Sequence, residues 1–90
     1  MITPALASIH YIQATAYYIN QDYDQALLEV DRAIALNPDY AEAYSLRGLI
    51  YMARGECDQA IADYDQAMAL RPHSAQTYVY RGRAYQCCKK

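Results

Sequence analysis

The stretch Tyr44-Ser45-Leu46-Arg47-Gly48-Leu49-Ile50-Tyr51 returns 34 positions later as Tyr78-Val79-Tyr80-Arg81-Gly82-Arg83-Ala84-Tyr85, with tyrosine, arginine, glycine and tyrosine kept in place. Working outward at the same offset, Pro4, Pro38 and Pro72 align, as do Ala7, Ala41 and Ala75, and Tyr17, Tyr51 and Tyr85. Asp24 falls on Asp58, Ala26 on Ala60, Asp31 on Asp65, Ala33 on Ala67 and Leu36 on Leu70. A fixed period of this size marks an array of one repeated supersecondary unit. Within each unit the apolar residues keep helical spacing, as in Ala26, Leu27, Val30, Ala33, Ile34 or Ala60, Ile61, Tyr64, Ala67, Met68. Proline cannot continue a helix interior, so Asn37-Pro38-Asp39 and Arg71-Pro72-His73 separate units, and Asn20-Gln21-Asp22 and Arg54-Gly55-Glu56 turn the chain inside them. The spacing predicts helices over about 7–20, 24–36, 41–54, 58–70 and 75–88.

Gly48 and Gly82 lie inside helices, where glycine costs about 1 kcal/mol against alanine. Both are therefore expected to mark close helix contacts, with Ala14 in the matching place of the first unit. Tyr17, Tyr51 and Tyr85, one turn further on, are expected to fill space between successive units. Asp24 and Asp58 stand where an acid favours a helix N-terminus, as a cap or through the dipole.

The second unit, from Tyr44 through Gly48, Tyr51, Ala60, Tyr64 and Ala67 to Pro72, resembles the tetratricopeptide repeat: aromatic, small residue, Tyr, small, aromatic, small, Pro in one frame. The first unit fits more loosely, with His10 for the opening aromatic and Val30 for the later one. The resemblance implies an all-α superhelix of antiparallel helix hairpins. It would hold about 2.5 repeats and five helices in one domain over residues 1–90: a repeat at about 7–40, a second at about 41–74 and a partial repeat or capping helix at about 75–88. It also implies a protein-interaction module whose first helices line a concave groove for a partner's peptide. The groove residues expected on this ground are Tyr11, Thr15, Tyr18, Ser45, Leu49, Met52 and Arg83, beside Ser8, Ile12, Glu42, Leu46, Gln76, Val79, Tyr80 and Gln86. The places at which chaperone-binding members grip heat-shock carboxylates correspond to Tyr11, Thr15, Leu46, Gln76 and Tyr80, none of which is cationic, so a chaperone tail is not expected. A second expectation is self-association: Tyr78, Val79, Tyr80 and Tyr85 make the last helix apolar, and solenoids need polar caps to stay soluble. A homo-oligomeric scaffold is the alternative function.

Composition excludes other classes. The 90 residues are 54% hydrophobic, largely Ala and Tyr, with a mean hydropathy of −0.27. No stretch approaches the ~20 apolar residues of a transmembrane helix, and no Lys or Arg precedes Arg32 to open a signal peptide. A cytoplasmic location is expected. Ten acids against Arg32, Arg47 and Arg54 leave residues 1–70 at −7, while Arg71, Arg81, Arg83, Lys89 and Lys90 set residues 71–90 at +5. That balance argues against nucleic acid, and the related repeats that read RNA are basic and one residue longer. No nucleophile–base pair, metal-ligand spacing or phosphate loop stands out, so neither catalysis nor a cofactor or metal is expected. Cys57, Cys87 and Cys88 are read as structural or incidental thiols rather than a disulfide framework. Finally, acids on second helices precede arginines on the next first helices, and Glu29–Arg47 and Asp63–Arg81 are the ties expected between repeats.

Overall fold

The computed structural model describes residues 3–88; Lys89 and Lys90, part of the basic C-terminal count, lie outside the described residues. Five helices follow one another: α1 Thr3–Ile19, α2 Tyr23–Leu36, α3 Ala41–Ala53, α4 Cys57–Leu70 and α5 Ala75–Cys88. α1 starts earlier than its spacing suggests because proline is tolerated in a first helical turn, where its missing N–H breaks no bond. α2 and α4 begin at Asp22 and Glu56 without a side-chain cap bond, so Asp24 and Asp58 act in the first turn through the helix dipole. The turns within the two hairpins share a backbone solution: Gln21 and Gly55, 34 residues apart, both take positive φ, 63° and 80°.

Each helix packs on its successor, and the first helices α1, α3 and α5 also meet side by side. Ala14, Ala26, Val30, Ala33, Ala43, Leu46 and Ile50 form one buried cluster, and Ala60, Ile61, Tyr64 and Ala84 a second. The small residues set the helix separations. A Cβ on Gly48 would stand 2.4 Å from the Tyr64 ring, so the notch in α3 is the seat of the largest fully buried side chain. In the first unit the same seat is Ala14 with Val30. Gly82 departs from the expectation: a Cβ there would meet nothing within 4 Å, because no helix covers that face of α5. Of the repeated tyrosines, Tyr51 is half-buried against the second cluster, whereas Tyr17 and Tyr85 stay more than a third exposed.

Two further expectations are corrected. Arg47 does not meet Glu29. It donates Nε and Nη2 to the two oxygens of Asp63 at 2.9 and 2.8 Å, closing its own repeat, and Nη1 to Asp31 at 3.0 Å, reaching back to the previous one. Arg81 likewise bonds Asp65 at 3.0 Å and not Asp63. The arginines are instead tied to the preceding repeat through Asp31–Arg47 and Asp65–Arg81, two residues beyond the expected acids. Glu29 instead faces His10 at 2.6 Å and Arg32 at 3.0 Å. The second correction is a disulfide between Cys57 and Cys88, with Cα atoms 5.9 Å apart, leaving Cys87 free and exposed. Antiparallel packing brings the start of α4 beside the end of α5, a proximity that the sequence separation of 31 residues hides.

Candidate functional site

The stacked first helices leave a concave cleft of about 240 Å³. Tyr11 of α1 forms one wall, and Ala41, Glu42, Ser45, Leu46 and Leu49 of α3 run along the middle. Gln76, Thr77 and Tyr80 of α5 form the other wall, and Ala67, Arg71 and Ser74 close it from α4 and the α4–α5 connection. The aromatic walls are held from behind: the Tyr11 ring lies 5.2 Å from that of Tyr40, and the Tyr80 ring 5.9 Å from buried Tyr64. Gln76 donates to the Tyr80 hydroxyl at 2.7 Å. Rings fixed in this way have little side-chain entropy left to lose on binding.

A run of hydroxyls joins α3 to α5: Ser45 Oγ lies 3.1 Å from Thr77 Oγ1, which lies 3.0 Å from Ser74 Oγ. Each hydroxyl has one proton and two lone pairs, so the run keeps spare capacity for an amide N–H or C=O. The two charged lining residues, Glu42 and Arg71, pair with each other at 3.2 Å, which leaves the cleft close to neutral. Burial, helped by Tyr40 and Glu42, pushes the Tyr11 phenol above its ordinary range, so it stays a hydrogen-bond donor.

Of the residues expected to form the groove, Tyr11, Ser45 and Leu49 line the cleft, as do Glu42, Leu46, Gln76 and Tyr80. Thr15, Tyr18, Met52 and Arg83 do not, nor do Ser8, Ile12, Val79 and Gln86, which stand exposed outside it. Thr15 donates its hydroxyl to the Tyr11 carbonyl at 3.0 Å, Tyr18 packs its ring 5.9 Å from Tyr23, and Met52 packs against the second cluster. Arg83 stands exposed on the same stripe of α5 as Gln76 and Tyr80, one turn past the cleft. Among the candidates for an exposed end, Tyr78, Val79 and Tyr85 are indeed open at 46%, 53% and 37%, whereas Tyr80 belongs to the cleft wall. Ala41, Ala67, Thr77, Arg71 and Ser74 were not foreseen. The last two come from Arg71-Pro72-His73-Ser74, whose proline signals a helix break and nothing about a lining.

Helix hairpins stacked on one another around a concave cleft define a helical-repeat solenoid. The family model described as tetratricopeptide repeat matches residues 13–84, and the chain belongs to that family, whose fold is a protein–protein interaction module. No helix among the described residues is long and apolar enough to cross a membrane. The curated proteins contain no match to the sequence. Among solved structures, the chain is similar to the crystal structure of MamA protein, with a TM-score of 0.90 and 34% identity over 97% of this chain and 47% of that one. The chain thus spans about half the length of that relative. The first tetratricopeptide domain of Spaghetti (RPAP3), bound to the HSP90 peptide SRMEEVD, superposes with a TM-score of 0.89 at 25% identity, covering 93% of this chain and 67% of that one. The Arabidopsis OM64 tetratricopeptide domain, at 22% identity and a TM-score of 0.92 over 96% of this chain and 71% of that one, shares the fold.

Proposed function

We propose that the protein is a non-enzymatic scaffold that holds an extended, largely uncharged peptide segment of a partner protein in the cleft between α1, α3 and α5. The observation that carries this reading is the lining itself: two braced tyrosine rings, a leucine pair and a hydroxyl run, with its one ion pair internally satisfied. Tyrosine and leucine surfaces favour apolar side chains, and the Ser45–Thr77–Ser74 run suits a peptide backbone. The Spaghetti domain shows that this fold can carry a peptide. The acidic character of SRMEEVD does not suit this cleft, where Arg71 is already neutralised by Glu42 and Tyr11, Leu46, Gln76 and Tyr80 offer no cation.

Selection from a displayed library of random peptides tests the reading. Apolar, aromatic-containing sequences are expected to emerge, and their binding should weaken at least tenfold in Tyr11→Ala and in Leu49→Ala while Gln25→Ala, exposed on α2 away from the cleft, leaves it unchanged. SRMEEVD should fail to bind. Selected peptides that ignore both cleft substitutions, or saturable binding of SRMEEVD, would overturn the proposal.

A further inference from the structure

α3 and α5 are the same helix written twice, yet only α3 carries a helix on its glycine side. There the covering helix α4 presents two consecutive residues. Asp63 takes both remaining prongs of Arg47, at 2.9 and 2.8 Å, and Tyr64 fills the notch over Gly48. On α5, Arg81 spends Nη1 on Asp65, as Arg47 spends Nη1 on Asp31. Its Nε and Nη2 have no acceptor among the described residues, and the Gly82 notch is empty to 4 Å. Tyr78, Val79 and Tyr85 surround it, exposed, and the Arg81 guanidinium lies over the Tyr78 and Tyr85 rings at 5.8 and 5.9 Å, as that of Arg47 lies over Tyr44 at 5.5 Å. The first unit shows that the notch sets the size of what covers it: alanine at position 14 goes with valine at 30, glycine at 48 with tyrosine at 64.

We propose that this open face of α5 docks an amphipathic helix of a partner protein that carries an acidic residue followed directly by an aromatic one. The carboxylate takes the two free prongs of Arg81 as a bidentate pair, and the ring enters the Gly82 notch. An acidic helix also complements the basic residues 71–90. An intact second copy is a poor occupant. Within the described helices only α4 holds an acid and an aromatic in succession, and it is packed between α3 and α5 and tied by Cys57–Cys88. This site is separate from the cleft.

The probe is a hydrocarbon-stapled peptide of residues 56–71 with Cys57→Ser, titrated into the oxidised full chain by fluorescence anisotropy. Saturable binding is expected, weakened at least tenfold by Arg81→Ala and by Gly82→Ala and unchanged by Leu49→Ala, so this site and the cleft are read separately. Gly82→Ala adds a methyl group that meets nothing in the folded chain, so its thermal midpoint should not fall, which separates lost docking from misfolding. Three results would overturn the proposal. One is no saturable binding up to millimolar peptide. Another is binding indifferent to Gly82→Ala, which would mean that the peptide displaces α4 from α3. The third is an oligomer, seen by light scattering, that Gly82→Ala dissociates, which would make a second copy the occupant.

Discussion

A single missing methyl group decides how closely α4 approaches α3. Gly48→Ala would gain about 1 kcal/mol of helix propensity, but its Cβ would sit 2.4 Å from a rigid ring that has no free space to retreat into. Overpacking of this kind costs about 1–3 kcal/mol, so urea unfolding of this variant is expected to show a net loss of stability. The meaning of Gly48 was legible because glycine inside a helix needs a reason. At Gly82 a glycine inside a helix marks no such contact, because the reason at Gly48 is the Tyr64 ring on the covering helix and no helix among the described residues covers Gly82. Tyr64 sets a pH limit. Its hydroxyl has no hydrogen-bond partner among the described residues, and burial holds its phenol far above the ordinary tyrosine range. A group whose folded value is raised contributes stability that is complete below its unfolded value, about pH 10, and lost as pH rises beyond it. Alkaline unfolding is therefore expected above about pH 10, with the last tyrosinate absorbance appearing together with loss of the helical circular dichroism signal. Tyr64→Phe should move that midpoint upward. Ionisation of all eleven tyrosines with the helices intact would contradict this.

Between elements, Arg47 is the connection that reaches both ways. Asp63 is 5% exposed, and burial pushes its carboxyl above the ordinary range even against the pull of Arg47. Arg47→Met strands that carboxylate and is expected to cost about 2 kcal/mol at neutral pH. The loss should shrink toward acid as Asp63 takes up a proton, because the stability of a group with a raised folded value falls as pH rises through it. Asp31 is half exposed, so Asp31→Asn should cost no more than about 0.5 kcal/mol; chemical denaturation of the two variants at pH 7 and near pH 4 measures the contrast. That acids and arginines couple the repeats was visible in the sequence, but the partners were not. A two-residue step turns a side chain about 200° around a helix, and only the actual crossing of α2 on α3 selects Asp31. The disulfide was hidden for a related reason. Reading Cys87 and Cys88 as neighbours on one helix says nothing of Cys57, which reaches Cys88 only once α4 and α5 lie antiparallel. Closing a loop of this length restricts the unfolded chain by about 3–4 kcal/mol in the chain-entropy account. Reduction, or Cys57→Ser without reductant, is expected to lower the thermal midpoint, and equal midpoints for oxidised and reduced protein would contradict it.

For the whole molecule, the period of 34 made the array legible, because each hairpin buries its apolar face on the next and needs no single central core. The cleft was legible where it is built from first-helix positions such as Tyr11, Ser45 and Leu49. It was not where a neighbour decides: Met52 and Tyr18 share that pattern but are drawn into packing, and Arg71 and Ser74 enter only because the connection folds back over the cleft. Apolar residues remain exposed at both ends, Leu6 and Ile9 on α1 and Val79 and Tyr85 on α5, so the array presents end surfaces as well as a concave one. The claim that the concave surface is the recognition site is tested most directly by nuclear magnetic resonance, titrating a display-selected peptide into isotopically labelled protein and mapping the amide shifts. The account predicts perturbations centred on Tyr11, Ser45, Leu49, Thr77 and Tyr80. Shifts confined to the outer faces of α2 and α4, or to the Gly82 side of α5, would contradict it.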